Sequence, residues 1–227
     1  MLVLSLDTST RAGSAALVED GVIRHEIIGD ESRTHGERLP RDLMRVLDEA
    51  GRTLEAVDLL AVITGPGSFT GLRVGIAAVQ GLAMATGRMI VPVSAFEALA
   101  AAAGDGTSIV GAWIDAQRGE VFASLHDAEG EPIVEPSSLA PGDTLERWEP
   151  ALAGRMVRMI GDGAVRYEGV IAERLQDRAR IIPPPPFAGI AGRIAGAQPA
   201  RAVLPHAIVP IYVRRSDAEL ARLRRGH

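Results

Sequence analysis

The chain repeats one order of secondary structure, and this repeat restricts its possible folds more than any other feature. Hydrophobic periodicity predicts three strands, a helix, a strand, a helix, a strand and a helix within residues 2–103. The order of three strands, helix, strand, helix and strand is predicted again within residues 108–182, before four consecutive prolines. A chain of 227 residues is long enough for two such units. We therefore expect a two-lobed α/β protein with lobes at 1–103 and 104–213.

Two further helices are expected after the prolines, at about 188–197 and 216–225. We expect the second to pack back on the first lobe. This second helix and the residues just before it contain a basic cluster formed by Arg214, Arg215, Arg222, Arg224 and Arg225. Cations near the end of a helix suit the helix dipole, which explains the cluster without nucleic acid. The formal net charge of −5 gives no overall attraction to a polyanion, so we expect any contact with nucleic acid to be indirect or peripheral.

Composition excludes several classes of site. The chain has no cysteine, which removes disulfides, thiolate nucleophiles and cysteine-bound metals. No two of the five histidines have the spacing of a helical metal pair, so no metal site is predicted. The chain also lacks a run of 18 uncharged apolar residues and a basic leader, so we expect a cytoplasmic protein without a membrane anchor.

A polar turn, Asp7-Thr8-Ser9-Thr10, lies between two strands that are predicted to be antiparallel. Such a turn can direct backbone N–H groups and hydroxyls at a phosphate, with the carboxylate holding a metal-bound water. It is equally consistent with an ordinary hairpin turn that binds nothing. The residues alone leave both interpretations open, and these four are our candidates for cofactor binding.

The segment Gly65-Pro66-Gly67-Ser68-Phe69-Thr70-Gly71 joins a predicted strand to a predicted helix at 70–86. It lacks the lysine of a phosphate-binding Walker A loop. Ser68 also lacks the flanking glycines of a nucleophile elbow. We therefore predict that Ser68 is the N-cap of the helix and that the chain has no catalytic residue.

The helix at 70–86 is apolar on more faces than one sheet can cover. A helix at 36–50 covers part of it; Thr34 and Glu37 have capping-box spacing, but Pro40 suggests a bent or later start. We expect a partner to cover the rest, and the isolated chain to form a homodimer through both helices. The residues predicted to line this interface are His35, Leu39, Leu43, Leu47, Thr70, Gly71, Arg73, Val74, Gly75, Ala78 and Leu82.

Five segments together resemble the TsaB (YeaZ) family in sequence and in order, across the whole chain. They are Asp7 to Thr10, Thr34 to Leu39, Gly65 to Gly75, Asp115 to Phe122, and Pro210 to Arg214. In the fourth segment this chain has Gln117 where the family usually has an arginine. This difference concerns only the role of that one side chain.

The resemblance implies the actin/sugar-kinase/heat-shock-protein (ASKHA) fold, a duplicated βββαβα domain. It also implies a non-catalytic scaffold and activator that dimerises with TsaD and acts with TsaE. TsaD transfers a threonylcarbamoyl group to adenosine 37 of tRNAs that read codons beginning with A. No cofactor is implied for this chain itself, although weak or shared nucleotide binding within the complex is compatible with the family.

Two enzymatic alternatives of the same fold remain. An ATP-dependent phosphotransferase would need a catalytic acid facing the phosphates and a complete nucleotide clamp, of which Asp7 and residues 161–164 are fragments. A glycoprotease-like enzyme would need a metal-binding histidine pair or an activated nucleophile. TsaD has a His-x-x-x-His pair where this sequence has Ala95 and Leu99, and neither side chain can ligate a metal.

Overall fold

The computed structural model describes residues 1–214, which form two compact units. The first unit contains residues 1–102 and 184–211, and the second contains residues 103–183 and the described residues after 211. The predicted terminal helix at 216–225, its packing on the first lobe, and Arg215, Arg222, Arg224 and Arg225 of the basic cluster lie outside the described residues.

The first unit is built on a five-stranded mixed sheet. Its strands are β1 (Leu2–Asp7), β2 (Ser14–Glu19), β3 (Val22–Ile28), β4 (Leu59–Gly65) and β5 (Ile90–Ser94), in the order β3-β2-β1-β4-β5. β1 and β4 are parallel neighbours and are buried along their whole length. Parallel pairing brings their carboxyl ends to the same edge of the sheet, so the segments after Asp7 and Gly65 start close together.

Three helices follow strands of this sheet: α1 (His35–Glu49), α2 (Phe69–Thr86) and α3 (Ala95–Ala103). The predicted capping pair of α1 is confirmed, because the Thr34 backbone N–H donates to the Glu37 carboxylate at 2.8 Å. Pro40 does not delay the start of the helix, contrary to our expectation. The carbonyl that it leaves without a helical donor belongs to Gly36, which is exposed to water.

The second unit repeats this architecture. Its strands are β6 (Ile109–Asp115), β7 (Val121–His126), β8 (Pro132–Leu139), β9 (Val157–Ile160) and β10 (Ala179–Ile182), in the equivalent order β8-β7-β6-β9-β10. Its helices are α4 (Pro141–Leu152), α5 (Asp162–Arg166) and α6 (Glu168–Leu175). The duplicated βββαβα order is therefore confirmed, although the single helix predicted at 164–176 is divided at Tyr167.

The last helix, α7 (Phe187–Ala197), contradicts the predicted lobe boundary. It follows the second repeat in sequence but lies on β1, β2 and β4 of the first sheet, so residues 184–211 do not belong to the second lobe. Polar contacts fix its first turn. Ala188 donates its N–H to Ser14 Oγ at 3.0 Å, and its carbonyl accepts from Ser5 Oγ at 2.6 Å. The neighbouring N–H of Gly189 donates to Glu26 at 2.6 Å.

Small residues explain why α7 can lie so close to this sheet. A Cβ atom added at Gly192 would lie 2.5 Å from Val18 Cγ2, and one added at Gly189 would lie 2.6 Å from Ile23 Cδ1. Any side chain at these positions would separate the helix from the sheet.

After α7, residues 202–211 form a strap along the first unit, with a single 3₁₀ turn at Pro205–Ala207. Val203 pairs with Ile90 of β5, and the Ile211 N–H donates to the Thr64 carbonyl at 2.8 Å. Between these points, Gln80 of α2 donates its side-chain N–H to the Pro205 carbonyl at 2.7 Å. The strap therefore runs alongside α2.

Candidate functional site

The turn after β1 is closed within the protein. Asp7, Thr8 and Ser9 are almost fully buried, and Thr10 is half-buried. The Asp7 carboxylate accepts hydrogen bonds from the Ser9 N–H at 2.7 Å and the Ser9 hydroxyl at 2.6 Å, and the Thr10 hydroxyl lies 3.3 Å from its second oxygen. Most of the hydrogen-bonding capacity of this carboxylate is therefore used inside the chain. This arrangement disfavours the predicted phosphate-binding role of these four residues.

Burial makes the ionised form of Asp7 unfavourable. It raises the pKa of Asp7 to about 6, although hydrogen bonds from Ser9 and Thr10 and the charge on Arg38 act in the opposite direction. The same cause raises the pKa of Glu26, whose carboxylate lies near Asp7 and receives the Gly189 N–H. Keeping these two carboxylates ionised at neutral pH therefore lowers the free energy of unfolding.

The N-terminal part of α2 packs directly on the Asp7–Thr10 turn, and glycines make this close contact possible. A Cβ atom added at Gly71 would lie 2.1 Å from the Thr8 carbonyl oxygen, and one added at Gly75 would lie 2.0 Å from Thr8 Oγ1. In the loop before the helix, the corresponding distance from Gly67 to Ser9 Cβ is 2.6 Å. Our expectation that Gly71 and Gly75 admit a partner helix is therefore wrong, because both are buried against this chain's own turn.

Ser68 has the structural role predicted for it. Its side-chain oxygen accepts the Gly71 N–H at 3.2 Å, as an N-cap does. Its own N–H donates to the Ser9 carbonyl at 2.7 Å, which ties the loop to the turn.

The start of α1 closes another side of the turn. His35 Nε2 lies 3.1 Å from the Thr10 carbonyl oxygen, and its Nδ1 lies 2.8 Å from an Arg38 nitrogen. A carbonyl only accepts and a guanidinium only donates, so the ring is neutral with its proton on Nε2. Burial, together with the charge on Arg38, lowers the pKa of His35. We predicted His35 at the interface, but both of its ring nitrogens are engaged within the chain.

Arg38 is a structural residue that the sequence analysis missed. It is buried, pairs with Asp42 at 2.8 Å and donates to the Ala12 carbonyl. Hydrophobic periodicity gave no signal for it, because Arg38 lies outside the apolar stripe of Leu39, Leu43, Val46 and Leu47. Three of the motif segments thus meet at the end of β1 and join one another.

The second unit has an equivalent turn after β6. Gln117 and Arg118 adopt left-handed backbone conformations, with φ of 61° and 57°. Asp115 accepts the Gln117 backbone N–H at 3.0 Å and its side-chain N–H at 2.8 Å, and Arg166 lies 3.0 Å from the same carboxylate. Gln117, where the family usually has arginine, therefore helps to hold Asp115 in place.

The fifth motif segment ends on the same hairpin. Arg214 donates to Glu120 and to the Ala116 carbonyl, each at 2.9 Å. Hydrogen bonds from Ser138 and Arg214 lower the pKa of Glu120.

The positions where TsaD has its histidine pair are apolar here and fully buried. Ala95 and Leu99 have no accessible surface. Glu97, between them in sequence, is paired with Arg201 at 3.0 Å. Within residues 1–214 there is no group of three or more histidine, aspartate and glutamate residues that could hold a metal ion.

One face of α2 is open to solvent. Only a third of this 18-residue apolar helix is buried, and by length and composition alone it is the one helix of the described chain that could span a membrane. Its buried face lies on the first sheet, as expected for a core helix. Beyond Phe69, which is 36% exposed at the start of the helix, the solvent-facing residues are Thr70, Arg73, Ala77, Gly81, Met84 and Ala85. We call these six the α2 face; Arg73 is the only charged residue of the helix.

The α2 face has a boundary on each side. Val74, Ala78 and Leu82 are half-buried against the core that α1 shares. On the other side, Gln80 contacts the strap. The open strip between them is mostly small and apolar, so another helix could approach it closely.

The residues predicted to line the interface differ in their exposure. Leu39, Leu43 and Leu47 are buried in the core of the first unit and cannot line an interface in this conformation. Thr70 and Arg73 are exposed, as predicted, and Val74, Ala78 and Leu82 are half-exposed. Met44 on α1 and the four remaining residues of the α2 face are also exposed, although the prediction did not include them.

Comparisons with known proteins give the same family as the motifs. The family model for TsaD, tRNA N6-adenosine threonylcarbamoyltransferase, matches residues 25–167. The solved structure of YeaZ from Pseudomonas aeruginosa has 33% sequence identity and a TM-score of 0.75, covering 93% of this chain and 99% of that one. The chain belongs to the TsaB (YeaZ) family.

The similarity to a curated relative is higher over a shorter segment. The tRNA threonylcarbamoyladenosine biosynthesis protein TsaB of Haemophilus influenzae is 41% identical over 127 residues. That alignment covers 55% of this chain and 53% of the relative, about half of each.

A more distant neighbour supports the predicted ASKHA fold. The ROK hexokinase of Thermus thermophilus superposes with a TM-score of 0.51 at 15% identity, over 86% of this chain and 98% of that one. At this identity the likeness concerns the fold alone, and it agrees with the duplicated sheets of this TsaB-family chain.

Substitution of Gly75 tests the contact between α2 and the turn. We predict that Gly75→Ala lowers the free energy of unfolding by about 1–3 kcal/mol, because its Cβ collides with Thr8. Gly81→Ala is the matched control, since a Cβ there meets nothing within 4 Å. It should stabilise the helix by up to about 1 kcal/mol. Urea denaturation measures both; equal effects of the two substitutions would contradict the close contact.

Asp7 predicts a specific dependence of stability on pH. Its pKa is about 6 in the folded chain and near 3.8 when unfolded, so the folded state binds the proton more tightly between these values. The free energy of unfolding should therefore fall as pH rises through this range. Asp7→Asn removes this titration, and the stability of the variant relative to wild type should rise by about 2 kcal/mol from pH 4 to pH 7. Denaturation at several pH values would refute this if the difference stayed constant.

Proposed function

We propose that this chain is a non-catalytic subunit that docks on TsaD. In that complex it supports, together with TsaE, the transfer of a threonylcarbamoyl group to adenosine 37 of tRNAs that read codons beginning with A. The observation that carries the proposal is the α2 face, an apolar helix surface left open in a chain of the TsaB family. Surfaces of this kind are typical of protein–protein contacts.

The state of the candidate chemical groups supports a non-catalytic role. Ser68 caps a helix, and the Asp7 carboxylate is enclosed by its own turn. Ala95 and Leu99 replace potential metal ligands with buried methyl groups. These features also disfavour the phosphotransferase and glycoprotease alternatives, because each needs an accessible catalytic group.

The match to the TsaD family model supports TsaD as the occupant of the α2 face. The matched residues, 25–167, include the whole of α1 and α2, so TsaD is expected to carry an equivalent helix pair. Two equivalent helix pairs can meet around an approximate twofold axis. A second copy of this chain offers the same face, so we also propose that the isolated chain forms a homodimer that TsaD displaces.

The remaining features of the proposed complex follow from charge and from the enclosed turn. The net charge of −5 favours indirect or peripheral contact with tRNA. We propose that the chain needs no cofactor of its own, and that any nucleotide is bound weakly or shared with TsaD. The proposed location is the cytoplasm, where tRNA is modified.

Reconstituted tRNA modification tests this function. Unmodified tRNA, threonylcarbamoyl-adenylate, TsaE and ATP would be incubated with TsaD, with this chain, or with both. We expect modification with both proteins and none above background with this chain alone. Modification by this chain without TsaD, or full activity of TsaD without this chain, would contradict the proposal.

A charge on the α2 face should prevent docking without unfolding the chain. Gly81→Glu would bury an unpaired carboxylate in the complex, and we predict a loss of affinity for TsaD of about a hundredfold. Gly169→Glu on α6 is the matched control, since both glycines are exposed and a Cβ at either meets nothing within 4 Å. Sedimentation velocity with TsaD measures the affinity, and circular dichroism checks the fold. If both variants bind like wild type, the contact surface lies elsewhere.

A further inference from the structure

The sulfur chemistry of this chain is confined to thioethers. It has six methionines and no cysteine, so peroxide has no thiol to attack. Accessibility then decides which methionine reacts first. Met159 is fully buried, whereas Met84 is 76% exposed, more than any other methionine of the chain.

The position of Met84 leaves its sulfur unshielded. It lies on the α2 face, where its neighbours one turn away and in sequence include Gly81 and Ala85, which have little or no side chain. Gln80, on the preceding turn, is directed to the strap through its bond to Pro205. An oxidant in solution can therefore reach the thioether directly.

We propose that Met84 is a site of reversible oxidation by hydrogen peroxide, and that its sulfoxide weakens docking of the α2 face on TsaD. This inference rests on the function proposed above. The sulfur lone pair attacks one peroxide oxygen, an S–O bond forms and the O–O bond breaks. The departing hydroxide takes the proton of the transferred oxygen and leaves as water. The sulfur is oxidised and the peroxide is reduced.

The sulfoxide would change the face from apolar to polar at its most exposed point. Its oxygen is a strong hydrogen-bond acceptor, and docking would remove it from water. The side-chain donors of the α2 face are Thr70 and Arg73, and Arg73 is eleven residues before Met84. That separation is about 16 Å along a helix, so neither donor can reach the sulfoxide. Docking therefore buries the oxygen with no donor from this chain, and the affinity falls.

Peroxide treatment of the isolated chain tests the inference. Wild type, Met84→Leu and Met156→Leu would be treated at a concentration where the chain is monomeric, and the peroxide would be removed before TsaD is added. Leucine keeps the size and apolarity of methionine but cannot be oxidised. Met156 is the matched control, because it is 56% exposed and lies in the second unit. Peptide mass spectrometry would locate the sulfoxides, and sedimentation velocity would measure the affinity for TsaD.

We expect oxidation at Met84 before Met44, Met89 and Met156, and an affinity at least tenfold lower for treated wild type and treated Met156→Leu. Treated Met84→Leu should keep its affinity, and methionine sulfoxide reductases should restore the affinity of treated wild type. If treated wild type carries the Met84 sulfoxide and binds normally, or if treated Met84→Leu loses affinity equally, the inference about Met84 is overturned. The proposed function is not affected by that result. If the untreated chain does not bind TsaD, the proposed function fails, and the inference fails with it.

Discussion

The contact between α2 and the turn after β1 is the interaction on which the rest of the first unit depends. It is made by backbone, because Gly71 and Gly75 have no side chain to hold the helix away from Thr8. This contact sets which face of α2 is buried and therefore which face is left open. It also encloses the Asp7 carboxylate, so the feature of the turn most suited to binding a ligand serves the fold instead.

That arrangement has an electrostatic cost which the neighbouring residues offset in part. Asp7 is buried with a raised pKa, while Ser9 and Thr10 supply hydrogen bonds that favour its ionised form. Arg38 is buried nearby, and its two terminal nitrogens bond to Asp42, His35 and a carbonyl. Such a network is easily lost when one member is removed. The motif residues thus have a structural explanation that requires no catalysis.

The repeated order of strands and helices was predictable from the sequence, since hydrophobic periodicity reports local structure. The packing partner of each helix was not. The glycines of α7 indicate a close contact, but they do not say that the contact is with β2 of the first sheet. In the same way, Leu39, Leu43 and Leu47 show that α1 has an apolar face without showing that the core of the unit covers it. The sequence predicted that part of α2 is left uncovered, but burial depends on contacts between distant segments, so the residues of the open face emerged only from the structure.

Covering of the α2 face by TsaD can be measured directly, because the chain contains no cysteine. A single cysteine introduced by Gly81→Cys would be the only thiol of the chain, and its rate of alkylation reports its access to solvent. Gly169→Cys provides the same thiol on the second unit. The account predicts that saturating TsaD slows alkylation of the Gly81→Cys variant at least tenfold and leaves that of the Gly169→Cys variant unchanged. Unchanged alkylation of the Gly81→Cys variant in a complex shown to have formed would contradict it.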